Sequence, residues 1–107
     1  MFVTPDNRTL LPVSTDPNDG CNEAARNAKG QYCFDSGDTR ANENLLLTSM
    51  HLIWARHHNY LAEQLQALNP DWDDETIFQE ARRILAAQLQ HVTYNEFLPI
   101  LLGLYLN

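Results

Sequence analysis

A chain of 107 residues with a formal charge of −7 is one domain at most, with room for a modest core. Its acidic balance argues against nucleic acid and anionic membranes as partners, while 44% apolar residues is a globular composition. The greasy stretch at 97–106 is far too short to span a bilayer.

Residues 1 to about 38 read as loop. Pro5, Pro12 and Pro17 break any helix, and Asn18-Asp19-Gly20 is a turn signal. Leu10-Leu11-Pro12 is a small apolar anchor, and no strand pattern of useful length is present. So long a stretch without regular structure is unusual in a compact domain and natural as a strap over a larger body. Cys21 and Cys33 are the two cysteines. A bridge between them would close a short loop and contribute about 3 kcal/mol. The alternative is two free thiols, and the bridge is favoured because nothing beside the pair suggests metal or redox chemistry. Asn7-Arg8-Thr9 is a glycosylation sequon. The opening Met1-Phe2-Val3-Thr4-Pro5 lacks the pattern of a signal peptide. Secretory features without such a leader lead us to expect a fragment of a longer protein.

The chain is organised around Gly37-Asp38-Thr39-Arg40-Ala41-Asn42-Glu43 and the helix that follows. Arg40 and Glu43, three residues apart at a helix entry, fall on roughly one face. A helix is predicted over about 44–68, with Leu46, Met50, Ile53, Trp54, His57, Leu61, Leu65 and Leu68 at three- and four-residue spacing. Leu45, Leu47, Leu52 and Tyr60 widen that stripe, so the helix wants neighbours on several sides. Asn69-Pro70 ends it. Asp73 or Asp74 caps a second helix over about 75–92, whose acidic first turn suits the macrodipole. Its buried stripe runs through Ile77, Phe78, Ala81, Ile84, Leu85, Gln88 and Val92, with Ala87 beside it. A short third helix is expected from near Asn95, with Pro99 in its first turn and Gly103 as its stop. The fold class is mainly α: a long strap, two long helices and a short third.

His51, His57, His58 and His91 are candidate ligands, and His51 and His58 are spaced to share a helix face. No Glu-x-x-His or His-Glu-x-x-His pattern accompanies them, so packed or solvated histidines are the better reading and no metal site is expected. Gly37 is isolated and makes no phosphate loop. Arg40 has a clearer possible task. Heterolysis of a peroxide O–O bond leaves negative charge on the departing oxygen, and a fixed cation there stabilises the transition state. Arginine keeps its proton and points several donors in one plane. The competing reading is an ordinary ion pair with Asp38 or Glu43, which spacing alone favours.

The wording from Cys33 to Glu43 closely resembles the distal-side segment of the animal haem peroxidases, the superfamily of myeloperoxidase, peroxidasin and peroxinectin. Further landmarks follow in order: Leu47-Thr48-Ser49-Met50-His51, His57-His58-Asn59-Tyr60-Leu61-Ala62, Leu68-Asn69-Pro70-Asp71-Trp72, Gln79-Glu80-Ala81-Arg82-Arg83-Ile84 and Tyr94-Asn95-Glu96-Phe97-Leu98-Pro99. The last is most similar to the invertebrate peroxinectin-type and peroxidasin-type members. Order and spacing together make the resemblance specific over almost the whole chain.

The resemblance implies an α-helical, secreted haem enzyme that reduces hydrogen peroxide and oxidises halides or organic donors. It puts Arg40 on the family's distal arginine and Glu43 on the glutamate that can form an ester with a haem methyl group. Asn44 stands where myeloperoxidase has a sulfonium-forming methionine, a bond Asn cannot make. The resemblance also implies that the distal histidine, the other ester-forming aspartate and the calcium loop lie upstream, and the proximal histidine downstream. Residues 1–107 are then an internal part of one haem peroxidase domain, with 1–43 as the strap carrying Arg40 and 44–107 as the helical portion. Its partners would be hydrogen peroxide, a small electron donor and the rest of that domain. Alone it is expected to be inactive, because it lacks axial ligation for haem. The alternatives are a peroxidase-like adhesion domain without catalysis and a small secreted helical binding module.

Overall fold

The computed structural model describes Phe2, Val3, Asn7 and residues 9–103. Pro5, Arg8 of the sequon and the 104–107 end of the apolar stretch lie outside the described residues. The chain forms two compact units, Met1–Arg56 and His57–Asn107. The fold is mainly α, as expected, and each unit is built from local signals.

In the first unit, β1 (Phe2–Val3) pairs antiparallel with β2 (Thr9–Leu10), Phe2 opposite Leu10. Asn7, in the connection, takes a left-handed φ of 61°, which Asn tolerates better than most residues. The 12–22 loop satisfies its own polar groups. The Ser14 hydroxyl donates to Asp19, and Asn22 Nδ2 donates to the carbonyls of Ser14 and Asp16 at 3.2 and 2.7 Å.

The single turn α1 (Ala24–Asn27) ends at Gly30, whose φ is 71°. The Gly30 and Gln31 amides return to the carbonyls of Asn27 and Arg26, the double closure that a left-handed glycine permits. Cys21 and Cys33, bridged with their Cα atoms 5.4 Å apart, bracket this turn, and Cys33 is buried. Val13 and Phe34 then form an isolated antiparallel bridge. Among its described residues the strap is mostly loop, as read, but it also holds two short strands and the turn α1 where only loop was expected.

A 3-10 turn, Thr39–Asn42, leads into α2 (Leu45–Leu68). Asn44 begins α2 by accepting from the Leu47 amide at 3.0 Å. Thr48 Oγ1 reaches back to the Ala41 carbonyl at 2.7 Å, and Arg56 Nε donates to the Thr9 carbonyl at 2.8 Å. The broad apolar surface expected of this helix is real and in part uncovered: no residue of α2 is buried, Leu45 and Leu46 are 79% and 78% exposed, and Leu52, Trp54, Leu61 and Leu65 are half-buried.

In the second unit, Asn69 closes the end of α2 through its own amide and its Nδ2, both bonded to the Leu65 carbonyl. Asp73 caps α3 (Asp74–His91), accepting from the Thr76 amide at 2.9 Å. That bond holds the Asp73 carboxyl below its ordinary pKa. Ile77 and Ala81 are the buried residues of α3. The two helices are tied by His57 Nε2 to Gln88 Oε1 at 2.8 Å and by the His58 and Phe78 rings at 5.3 Å.

The third helix, α4 (Leu98–Leu101), begins three residues later than expected and follows α3 without a break. A π-helical segment, Val92–Phe97, joins them. Thr93 and Asn95 bond back to the carbonyls of Leu89 and His91, which continues the helix across the expected gap between the second helix and the third. The wider turn lies just ahead of Pro99, whose ring clashes with the carbonyl four residues back. Gly103, at φ 71°, stops α4 and donates to the Ile100 carbonyl. Among the described residues, no helix is long and apolar enough to cross a membrane.

Candidate functional site

Asp38 is the root of the site. Its backbone is extended and its carboxylate caps the 3-10 turn, accepting from the Arg40 amide at 2.8 Å. The same carboxylate receives the Arg40 side chain as a fork, Nε to Oδ1 at 3.0 Å and Nη2 to Oδ2 at 2.8 Å. Residue 38 thus serves both the turn and the guanidinium. The two side chains are 39% and 74% exposed, so the contact orients more than it stabilises.

The electrostatics follow from this geometry. The bonds from Arg40 hold the Asp38 carboxyl well below the usual carboxylate range, reinforced by the charges of Arg40 and His51. Arg40 is pushed up in turn, first by its bond to Asp38, then by the charge of Asp38, and last by that of Glu43. Of the two acidic partners open to Arg40, Asp38 makes the bonded pair and Glu43 acts through its charge.

Asp38, Arg40, Glu43, Leu47 and His51 line a recess of about 170 Å³. Glu43 closes the 3-10 turn, its amide bonded to the Arg40 carbonyl. Leu47 and His51 follow at four-residue intervals along α2, which places Glu43, Leu47 and His51 in one row. The His51 Nδ1 lies 3.0 Å from Ser36 Oγ. A second, more open recess of about 440 Å³ lies against the Cys21–Cys33 bridge, and Arg40 and Glu43 line it too. The two residues singled out from the sequence therefore form a wall common to both recesses.

His51 and His58 each have neighbours of their own. His51 turns to Ser36 and the recess, whereas His58 meets the Phe78 ring at a tilt and leaves a buried Nε2 without a hydrogen-bond partner. His57 is bonded to Gln88, and His91 closes α3 exposed. Among the described residues, no three His, Cys, Asp or Glu side chains group so as to hold a metal ion. Sequence reading left Asp38 and Glu43 as alternative partners of Arg40, and the bonds go to Asp38; it did not single out His51 as a recess residue. The four-residue spacing from Glu43 was the available signal for His51.

Comparison with known proteins gives a consistent result. The family model for animal haem peroxidase matches residues 1–107. A probable oxidoreductase, PXDNL, of Homo sapiens is 50% identical over 99 residues, 92% of this chain and 7% of that protein. The chorion peroxidase of Drosophila melanogaster is 49% identical over 96 residues, 90% of this chain and 11% of its own length. The lactoperoxidase of Mesocricetus auratus is 46% identical over 101 residues, 94% of this chain and 14% of its own. The chain thus spans a small share of the curated relatives it matches.

Proposed function

The chain belongs to the animal haem peroxidase family, and from that premise we propose that it forms the distal-arginine portion of a secreted haem peroxidase. The whole protein would reduce hydrogen peroxide and oxidise a halide or organic donor. Residues 1–107 are then part of one peroxidase domain, with Arg40 carried by 1–43 and the helical portion in 44–107.

The observation that carries this reading is the shared wall: Arg40 and Glu43, both exposed, line the same two recesses. A cation and a carboxylate side by side, with Leu47 next to them, fit contact with one edge of a haem. Bound there, haem would supply the iron at which peroxide is reduced and electrons are drawn from the donor. Arg40 gives two of its five N–H donors to Asp38 and keeps three. Those three are what can stabilise negative charge on the departing peroxide oxygen. Asp38 keeps the guanidinium from swinging, so little reorganisation is needed at the moment of reaction. Glu43 is the residue proposed to form the ester to a haem methyl group, fixing the cofactor. The axial ligands, the distal histidine and the calcium ligands are assigned to other parts of the protein. The exposed apolar surface of α2 supports the view that this chain is inactive alone.

A second reading rests on the same fork. An arginine held by an aspartate is also what a purely structural ion pair looks like, and it would suit a non-catalytic adhesion domain. The full-length Arg40→Ala protein separates the two. Loss of most of the rate of reaction with peroxide, with haem retained, supports catalysis. Unchanged kinetics removes Arg40 from the mechanism.

A further inference from the structure

The Val13–Phe34 bridge is paired on one side only. Ser14 donates to the Cys33 carbonyl at 2.8 Å and Asp35 donates to the Pro12 carbonyl at 2.7 Å. In this antiparallel pattern the bonds flank the paired residues, so the amide and carbonyl of Phe34 itself face the opposite edge. Among the described residues, no third strand covers that edge. The side chain of Asn42 does: its Oδ1 accepts from the Phe34 amide at 2.8 Å and its Nδ2 donates to the Phe34 carbonyl at 2.7 Å.

A primary amide is the side-chain group that presents an acceptor and a donor together, as a peptide unit does. Asn42 also ends the turn that carries Arg40 and immediately precedes Glu43. The turn is held from the other side by Thr48 Oγ1, bonded to the Ala41 carbonyl. Phe34 in turn follows Cys33, buried and bridged to Cys21. The turn thus hangs between a strand edge anchored by the disulfide and the first turn of α2.

We propose that Asn42 is a positioning residue: by closing the free backbone edge of Phe34, it holds the turn that presents Arg40 and Glu43. Asn42 need not touch a substrate and acts through its neighbours. The proposal rests on the reading of Arg40 as the group that acts on peroxide.

The test uses the full-length haem protein with Asn42→Ala and Asn42→Asp. Aspartate keeps the shape and the acceptor but loses the donor, so it serves if the alanine variant fails to fold. The Phe34 amide should be protected from hydrogen exchange in the native protein and lose that protection in Asn42→Ala. In Asn42→Asp, where an acceptor remains but the carboxylate meets the Phe34 carbonyl without a donor, it should exchange faster than native by a smaller factor. The rate of reaction with peroxide should fall on the order of tenfold, as a small displacement of a catalytic group does. Haem content and the donor-limited rate at saturating peroxide should hold. In an Arg40→Ala background, Asn42→Ala should slow the peroxide reaction no further. An unprotected Phe34 amide in the native protein overturns the proposal without any variant. Faster exchange at Phe34 with an unchanged peroxide rate reduces Asn42 to a structural clamp and also overturns it. If Arg40→Ala is slow while the Asn42 variants run at full rate, this inference fails and the reading of Arg40 survives. If neither substitution affects the peroxide rate, the reading of Arg40 itself fails.

Discussion

Asp38 grips Arg40 with both carboxylate oxygens, through Nε at 3.0 Å and Nη2 at 2.8 Å, while the Arg40 amide shares one of them. An aspartate two residues before an arginine, capping the turn that carries it, couples the backbone of the site to the direction of its cation. Asparagine at position 38 keeps the cap acceptor and loses the charge and half of the fork. We expect Asp38→Asn to slow the peroxide reaction, by less than Arg40→Ala does. Stopped-flow rates on the two full-length variants check the order.

The same pair has a pH signature. The folded carboxyl of Asp38 lies below its ordinary value of 3.8. A depressed carboxylate contributes stability that is complete above the unfolded pKa and is lost as pH falls through the folded one. The thermal midpoint of the native protein should therefore exceed that of Asp38→Asn by a constant margin at neutral pH. That margin should shrink below about pH 4 as the unfolded carboxyl takes its proton. Because both side chains are largely solvated, the margin will be small. A margin that widens on acidification contradicts the assignment.

Replacing Glu43 by Gln leaves a side chain of the same length that cannot form an ester. In the full-length protein, denaturing extraction followed by mass analysis should show one fewer covalent attachment between protein and haem. The same attachments in both proteins would remove Glu43 from that role.

The Cys21–Cys33 bridge spans 12 residues of sequence. Serine at both positions should destabilise the protein by about 3 kcal/mol in the chain-entropy model, read from denaturant unfolding of the full-length protein. Because Cys33 adjoins the edge that Asn42 closes, hydrogen exchange should also quicken at the Phe34 amide.

In the second unit, Ile77 is 4% exposed and Ala81 is fully buried beside it on α3. Ile77→Ala should cost about 2–5 kcal/mol, the range for emptying a buried aliphatic site. A loss under half a kilocalorie, the range of surface substitutions, would mean that Ile77 is not part of a packed core.

What the amino-acid sequence determined by itself is local. The bounds of α2 and α3, the Asp73 cap, Pro99 in the first turn of α4 and the Gly103 stop each depend on residues within one helical turn. Backbone sterics and capping act at that range, so they can be read from the chain. Family wording extended this to Arg40 and Glu43, because residue type and spacing survive in a string of letters. The tertiary structure decided what those residues touch. That Asp38 and not Glu43 takes the Arg40 fork is a local choice that spacing left open, whereas the meeting of His51 with Ser36 and of Asn42 with the edge of Phe34 depends on how segments apart in sequence come together. α4 changed for a local reason: the side chains of Thr93 and Asn95 turned back to the carbonyls four residues earlier, and a continuous π-helical segment replaced the expected break. A side chain's partner is set by which backbone groups are left free once the segments have come together, and residue spacing alone does not record that.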